Sequence, residues 1–143
     1  MALFSPQDEQ VLTQHLSAID TPVSLLLFTQ TIGGGESGIV ARQVVDELAR
    51  LNEQITVVER NFVLDIDDRE TYRVDKSPAI VVLRDGQDTR MHFYGAPTGY
   101  EFVPLVEAIV LAGTGKVELE AETLALLATV DKPLHLQVFG TPT

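Results

Sequence analysis

The stretch Phe28-Thr-Gln-Thr-Ile-Gly-Gly-Gly-Glu-Ser-Gly38 constrains this chain more than any other. It joins the run Val23 to Phe28, apolar at nearly every position, to the run Ile39 to Leu51. In the second run Val40, Val44, Leu48 and Leu51 recur at helical spacing, with Arg42, Asp46, Glu47 and Arg50 at polar positions. A short run that is apolar throughout is a strand covered on both faces. Asn52-Glu53 then leads into Ile55-Thr-Val-Val-Glu59, a second strand. Strand, helix and strand in this order are most simply a βαβ unit with parallel strands. The glycine-rich link lies where α/β proteins usually place their chemistry, because helix N-terminal amides and close backbone approach favour anions there.

The rest of the chain extends this unit on both sides. Ser5-Pro6 reads as an N-cap with proline at the first helical position, followed by Val11, Leu12, Leu16 and Ile19 at helical spacing. Asp20-Thr21-Pro22 stops that helix. Residues 65–75 are acidic and predict one or two helical turns. Pro78 to Leu83 is a third apolar strand, and Asp85-Gly86 signals a tight turn into Arg90 to Tyr94. Alternation predicts Met91 and Phe93 toward the core and Arg90, His92 and Tyr94 outward. Thr98 and Glu101 predict a capping box for a helix carrying Phe102, Leu105, Val106, Ile109 and Val110, which Gly113-Thr-Gly115 ends. The expected architecture is α/β: a central mixed four-stranded sheet with helices on both faces.

Two further elements follow: a short helix over Glu120 to Val130 and a strand over Leu134 to Phe139. The segments Thr21-Pro-Val-Ser-Leu-Leu-Leu-Phe-Thr29 and Lys132-Pro-Leu-His-Leu-Gln-Val-Phe-Gly140 share a pattern of proline, apolar residues and phenylalanine in register. Either a repeat begins again there or two strands are alike by chance. The sequence stops at Gly140-Thr-Pro-Thr143, just after a strand-like run, and so reads as cut.

Composition excludes several function classes. The chain has 143 residues, 45% of them hydrophobic, enough for one packed domain with an appendage. A formal net charge of −11 argues against nucleic acid and anionic membrane surfaces as partners. There is no cationic leader and no apolar run of membrane-spanning length, so a cytoplasmic protein is expected. Cysteine is absent, which removes disulfides, thiolate catalysis and cysteine metal sites from this chain. His15, His92 and His135 stand far apart, so no metal site and no cofactor is expected. The loop Gly33 to Gly38 lacks the lysine and hydroxyl residue of a phosphate-binding P-loop, since Ile39-Val40 follow its last glycine, and its spacing does not fit a dinucleotide fingerprint. Ser37 at the helix start reads as an N-cap more readily than as a nucleophile, because no histidine is placed to activate it.

At this point the motifs carry a resemblance. The order βαβ then ββα is that of the thioredoxin fold, and Tyr72-Arg-Val-Asp-Lys-Ser-Pro78-Ala-Ile resembles that family's segment around its cis-proline. Phe93-Tyr-Gly-Ala-Pro-Thr-Gly-Tyr-Glu-Phe102 resembles a signature of the two-unit protein disulfide oxidoreductases, which are glutaredoxin-like. The N-terminal domain of the alkyl hydroperoxide reductase flavoprotein has a similar segment. Val138-Phe-Gly-Thr-Pro-Thr143 resembles the opening of the second unit in these proteins, just before its Cys-x-x-Cys. The resemblance implies one thioredoxin-like unit over 1–116, then a connecting helix and the first strand of a second unit over 117–143.

Carried over residue by residue, the resemblance places the family's Cys-x-x-Cys at Gly35, Glu36, Ser37 and Gly38, with glycine in both cysteine slots. The family's first cysteine works as a thiolate whose pKa a helix N-terminus lowers; glycine cannot replace it. The implied role is a redox-inactive unit that serves as scaffold or docking surface for a Cys-x-x-Cys unit beyond Thr143. The implied partners are that second unit and a disulfide-bearing protein; Leu134 to Phe139, whose edges are unpaired without the second unit's sheet, either folds back onto this domain or pairs with a second copy. Ser77 and Pro78 are the candidate binding residues, through a cis-proline groove for an extended peptide. Tyr94, Tyr100 and Phe102 read as packing residues, with an inter-unit surface as the alternative place for Tyr100. The alternative role for the chain is a stand-alone peptide- or protein-binding module without catalysis.

Overall fold

A computed structural model describes residues 2–141. Pro142 and Thr143, part of the expected second-unit opening, lie outside the described residues. Ten elements follow one another: α1 (Pro6–Leu16), β1 (Val23–Thr29), α2 (Gly35–Leu51), β2 (Ile55–Asn61), α3 (Ile66–Thr71), β3 (Ala79–Arg84), β4 (Gln87–Tyr94), a 3-10 turn (Gly99–Glu101), α4 (Phe102–Thr114) and α5 (Ala121–Leu127).

The four strands form one mixed sheet in the order β2-β1-β3-β4. β1 runs parallel to β2, with Leu25 opposite Val57, and antiparallel to β3, with Phe28 opposite Ala79. The two central strands, β1 and β3, are the two continuous apolar runs, because only central strands are buried on both faces. Side chains alternate between two cores. Val23, Leu25, Leu27, Ile80 and Val82 face one side, where they meet Leu16 and Ile19 at the end of α1, Ala41, Val44, Val45 and Leu48 of α2, and Leu105, Val106 and Ile109 of α4. Leu26, Phe28, Ala79, Val81 and Leu83 face the other side and meet Phe62, Tyr72 and Val74, which flank the short α3.

Local chemistry accounts for the element ends. Ser5 caps α1 through a reciprocal pair with Asp8, and Pro6 takes the first helical position. The β3–β4 turn has positive φ at both central residues, Asp85 (48°) and Gly86 (80°), the type I′ geometry that matches strand twist. β4 is an edge strand with a bulge: between Val81 and Leu83 the register slips, Arg90 takes φ 66°, and Thr89 donates its hydroxyl to the Val82 carbonyl. A bulged edge resists pairing with another chain. Along β2, the Ile55 amide donates to Asn52 and the Asn61 amide to Asp65 Oδ2, so the ends of that strand are closed by local bonds.

Three expectations are corrected. Leu134 to Phe139 forms no strand; it is irregular backbone whose apolar side chains are exposed, Val138 at 95%. An apolar run becomes a strand only when a neighbouring ladder takes up its backbone groups, and among the described residues this run pairs with none of the four strands. Thr98 and Glu101 make no capping box: a 3-10 turn intervenes, and α4 starts at Phe102 without a side-chain cap. Tyr94 points away from the main core but is half-buried, because the second face of the sheet is itself a packed core.

Candidate functional site

The site is assembled at one end of the sheet, where β1 stops and β3 starts. β1 ends at Thr29, whose side chain is buried and donates to Glu59 Oε1 at 3.2 Å. Arg42 of α2 pairs with the same carboxylate, tying the helix to the rim of β2. Residues 30–34 then turn the chain back into α2.

Gly35, Glu36, Ser37 and Gly38 are not a loop, as the glycines suggest, but the first turn of α2. The N-cap is Gly34, and no side chain caps the helix, so Ser37 lies inside the first turn and is not the N-cap. Gly34 is glycine for a steric reason: a Cβ there would sit 2.3 Å from the Gln30 carbonyl oxygen. The two candidate glycines differ. Gly35 has φ 66°, a left-handed conformation that any L side chain strains, with open space around it. Gly38 is helical and buried, and a Cβ there would meet only the Thr29 side chain, at 3.8 Å.

Across the sheet end lie Ser77 and Pro78. Their peptide bond is cis. Pro78 and Ala79 are buried, and the Gly95 amide donates to the Pro78 carbonyl at 2.9 Å, fixing the entry into β3. With Phe28 opposite Ala79, Pro78 falls beside Thr29, the residue that a Cβ on Gly38 would face. The candidate residues from sequence therefore converge: Gly35, Gly38 and the proline stand at the same end of β1 and β3. The Ser77 hydroxyl is buried without a hydrogen-bond partner. A polar atom so placed is uncommon.

Tyr94 joins this region, beyond the packing role that sequence suggests for it. It lies opposite Ala79, its ring sits 5.0 Å from the Lys76 ammonium, and His92 meets it edge-on at 6.5 Å between centroids. Its phenol is held above the ordinary tyrosine range first by burial and then by the Asp75 charge, with the Asp75 backbone amide acting weakly the other way. The neutral phenol is thus the form the fold prefers. Below the unfolded-state pKa of about 10 both states keep the proton. As pH rises through that value the unfolded chain loses it first, so stability falls with rising pH. Alkaline denaturation followed by urea midpoint is expected to show a decline above that pH that is shallower in Tyr94→Phe; identical slopes would refute this assignment.

The histidines do not assemble. His15 and His135 are exposed on α1 and the C-terminal segment, and His92 Nε2 lies 3.5 Å from Asp88 Oδ1 without the geometry of a hydrogen bond. Among the described residues no group of three His, Cys, Asp or Glu side chains is placed to hold a metal ion. Tyr100 is 74% exposed beside the 3-10 turn, while Phe102 packs against Phe4 at 5.4 Å between ring centroids. Among the described residues no helix is long and apolar enough to cross a membrane.

No family model matches the chain. It is similar to the F protein of the alkyl hydroperoxide reductase of Staphylococcus epidermidis, 25% identical over 132 residues, which are 92% of this chain and 23% of that protein. An NADH dehydrogenase of Ferdinandcohnia aciditolerans is 25% identical over 137 residues, 96% of this chain and 24% of that protein. The chain thus spans about a quarter of the length of these curated relatives. Among solved structures it resembles the NTD_N/C domain of the alkylhydroperoxide reductase AhpF of Enterococcus faecalis, with TM-score 0.76 and 27% identity over 83% of this chain and 57% of that one. It also resembles a protein disulfide oxidoreductase of Aeropyrum pernix, with TM-score 0.74 and 20% identity over 87% of this chain and 54% of that one, a likeness of fold. The fold is thioredoxin-like, and its neighbours include the N-terminal domain of AhpF and a protein disulfide oxidoreductase.

Proposed function

We propose that this chain is a redox-inactive thioredoxin-like unit of a longer cytoplasmic thiol–disulfide oxidoreductase, contributing to redox homeostasis as scaffold and partner-docking surface. The unit spans 1–116, residues 117–143 lead into a second unit, and the Cys-x-x-Cys that performs exchange stands beyond Thr143. The observation that carries this reading is the pair of glycines at the start of α2. Gly35 and Gly38 occupy the helix N-terminus at the same sheet end as Pro78, where a nucleophilic thiol needs to stand, and neither has a side chain. Exchange begins with attack by a thiolate on a disulfide sulfur, so this unit has no group to start it. It requires no cofactor or metal of its own.

The docking part of the proposal rests on two surfaces. One is the groove at Ser77 and Pro78, where an extended segment of a disulfide-bearing protein pairs with backbone at the sheet end. The other is the exposed segment from α5 to Phe139, whose apolar side chains Leu126, Leu127, Leu134 and Leu136 are exposed in this unit. That segment docks the second unit, or a second copy through Leu134 to Phe139 when the second unit is missing. Insulin reduction with dithiothreitol as electron source tests the redox part. The fragment is expected to leave the uncatalysed rate unchanged, and turnover above it would overturn the reading.

The unpartnered Ser77 hydroxyl at the groove also favours a second reading, a stand-alone peptide-binding module. The gene beyond codon 143 separates the two. A Cys-x-x-Cys there supports the two-unit protein, and a stop codon supports the module.

A further inference from the structure

The segment that carries Ser77 and leads into Pro78 is a short bridge between two anchors. Val74 is buried in the second core, its amide bonded to the Arg69 carbonyl, and Pro78 and Ala79 are buried at the start of β3. Between them Asp75 and Lys76 are exposed and Ser77 is half-buried. Lys76 has a carboxylate neighbour, Asp75 Oδ1, at 3.8 Å, but that residue is in the same bridge and cannot hold it to the body. The Lys76 ammonium instead lies 5.0 Å from the centre of the Tyr94 ring. Tyr94 is part of the sheet: it stands opposite Ala79, packs into the second core, and precedes Gly95, whose amide binds the Pro78 carbonyl.

We infer that Tyr94 is the positioning residue of the groove: its ring, beneath the Lys76 ammonium, holds the bridge 75–77 in the conformation that presents Ser77 backbone to an extended peptide. This rests on the peptide-docking reading of the groove. The tie works through the ring face, because a cation is attracted by the π quadrupole. The phenol oxygen meets the same bridge through the Asp75 backbone amide, and Tyr94→Phe separates that contact from the ring-face one. Lys76 is therefore not a free surface charge but a tether of the bridge to the sheet.

The test uses the chain as it stands, with S-alkylated insulin B chain as an extended peptide that offers no thiol. In nuclear magnetic resonance spectra the Lys76 ε-methylene protons of the wild type are expected upfield of the ordinary lysine position, through the ring current of Tyr94. Tyr94→Phe keeps that shift and binds the peptide within about twofold of wild type. Lys76→Met and Tyr94→Leu each lower backbone order at 75–77 and weaken peptide binding roughly two- to fivefold, the range for an exposed cation–π pair. The double variant is no weaker than the weaker single variant, since both remove one interaction. Lys76→Met removes an exposed charge and keeps the fold intact, so it reports even where Tyr94→Leu unfolds. An unshifted Lys76 methylene in the wild type, or additive losses in the double variant, would overturn the inference. A shifted methylene with ordered bridge and no peptide binding by the wild type would refute the groove reading instead.

Discussion

Replacing Phe28 with alanine is expected to destabilise the fold by about 4 kcal/mol, the middle of the range for a buried phenylalanine. Phe28 is fully buried on β1, among the largest enclosed side chains of the chain, and packs in the smaller core with Leu26, Ala79, Val81 and Val74. That core has no long helix to close over a void. Its cover is Phe62, Tyr72 and Val74 around α3. Domains of this size hold on the order of 5–15 kcal/mol in all, so the variant loses a large fraction of its stability, with Tm lower by roughly 10 °C. The loss is directed at the candidate site, because Phe28 stands opposite Ala79, the residue that follows Pro78. The effect is read from the urea midpoint together with the Lys76 methylene shift. A loss under about 1 kcal/mol is incompatible with a phenylalanine enclosed on all sides.

The parts of this arrangement that sequence reveals are those carried by local pattern. Val23 to Phe28 and Pro78 to Leu83 are apolar without alternation, and both supply central strands, since only a strand buried on both faces tolerates that composition. Asp85-Gly86 specifies its turn by conformational preference, and Ser5-Pro6 its helix start by capping. The expected Cys-x-x-Cys position at Gly35 to Gly38 comes from register, counting back from Asp46-Glu47-Leu48 along a helix whose period is fixed.

What local pattern misses has a common cause. Leu134 to Phe139 has the composition of a strand but no ladder to join, and pairing is a property of the partner as much as of the run. The first turn of α2 reads as loop because its glycines carry low helix propensity, yet the helix begins at Gly35 and is tied to the sheet farther along by Arg42 and Glu59. Tyr94 reads as simple packing because its two contacts, Lys76 and the Pro78 entry, come from residues remote in sequence from it. A signal exists in principle: Tyr94 closes β4 and Gly95 follows it, and antiparallel pairing with β3 brings that end back to Pro78.

Glycine substitutions separate the roles of two buried glycines, and Gly113→Val is expected to cost about 3 kcal/mol. Gly113 is in α4 beneath the connection from α1 to β1. A Cβ there would lie 2.5 Å and 2.7 Å from the two γ carbons of Ile19, well inside contact distance. Ile19 cannot retreat, because it is buried and the amides of the next residues, Asp20 and Thr21, both donate to the Gly113 carbonyl. Helix propensity favours the replacement of an interior glycine by alanine by up to about 1 kcal/mol, which overpacking of this size outweighs. Gly38→Ala is the control with the opposite sign. Its Cβ meets Thr29 at an ordinary 3.8 Å, so reduced freedom of the unfolded chain decides, and a gain of about 0.5 kcal/mol is expected. Paired urea titrations of the two variants check the contrast; a destabilised Gly38→Ala would show that the slot is closed to any side chain. An open slot at Gly38 means that packing does not exclude a thiol there, whereas the left-handed φ of Gly35 does disfavour one in the present turn. The first turn of α2 has therefore taken a shape that suits glycine at Gly35, while Gly38 leaves room for a small side chain.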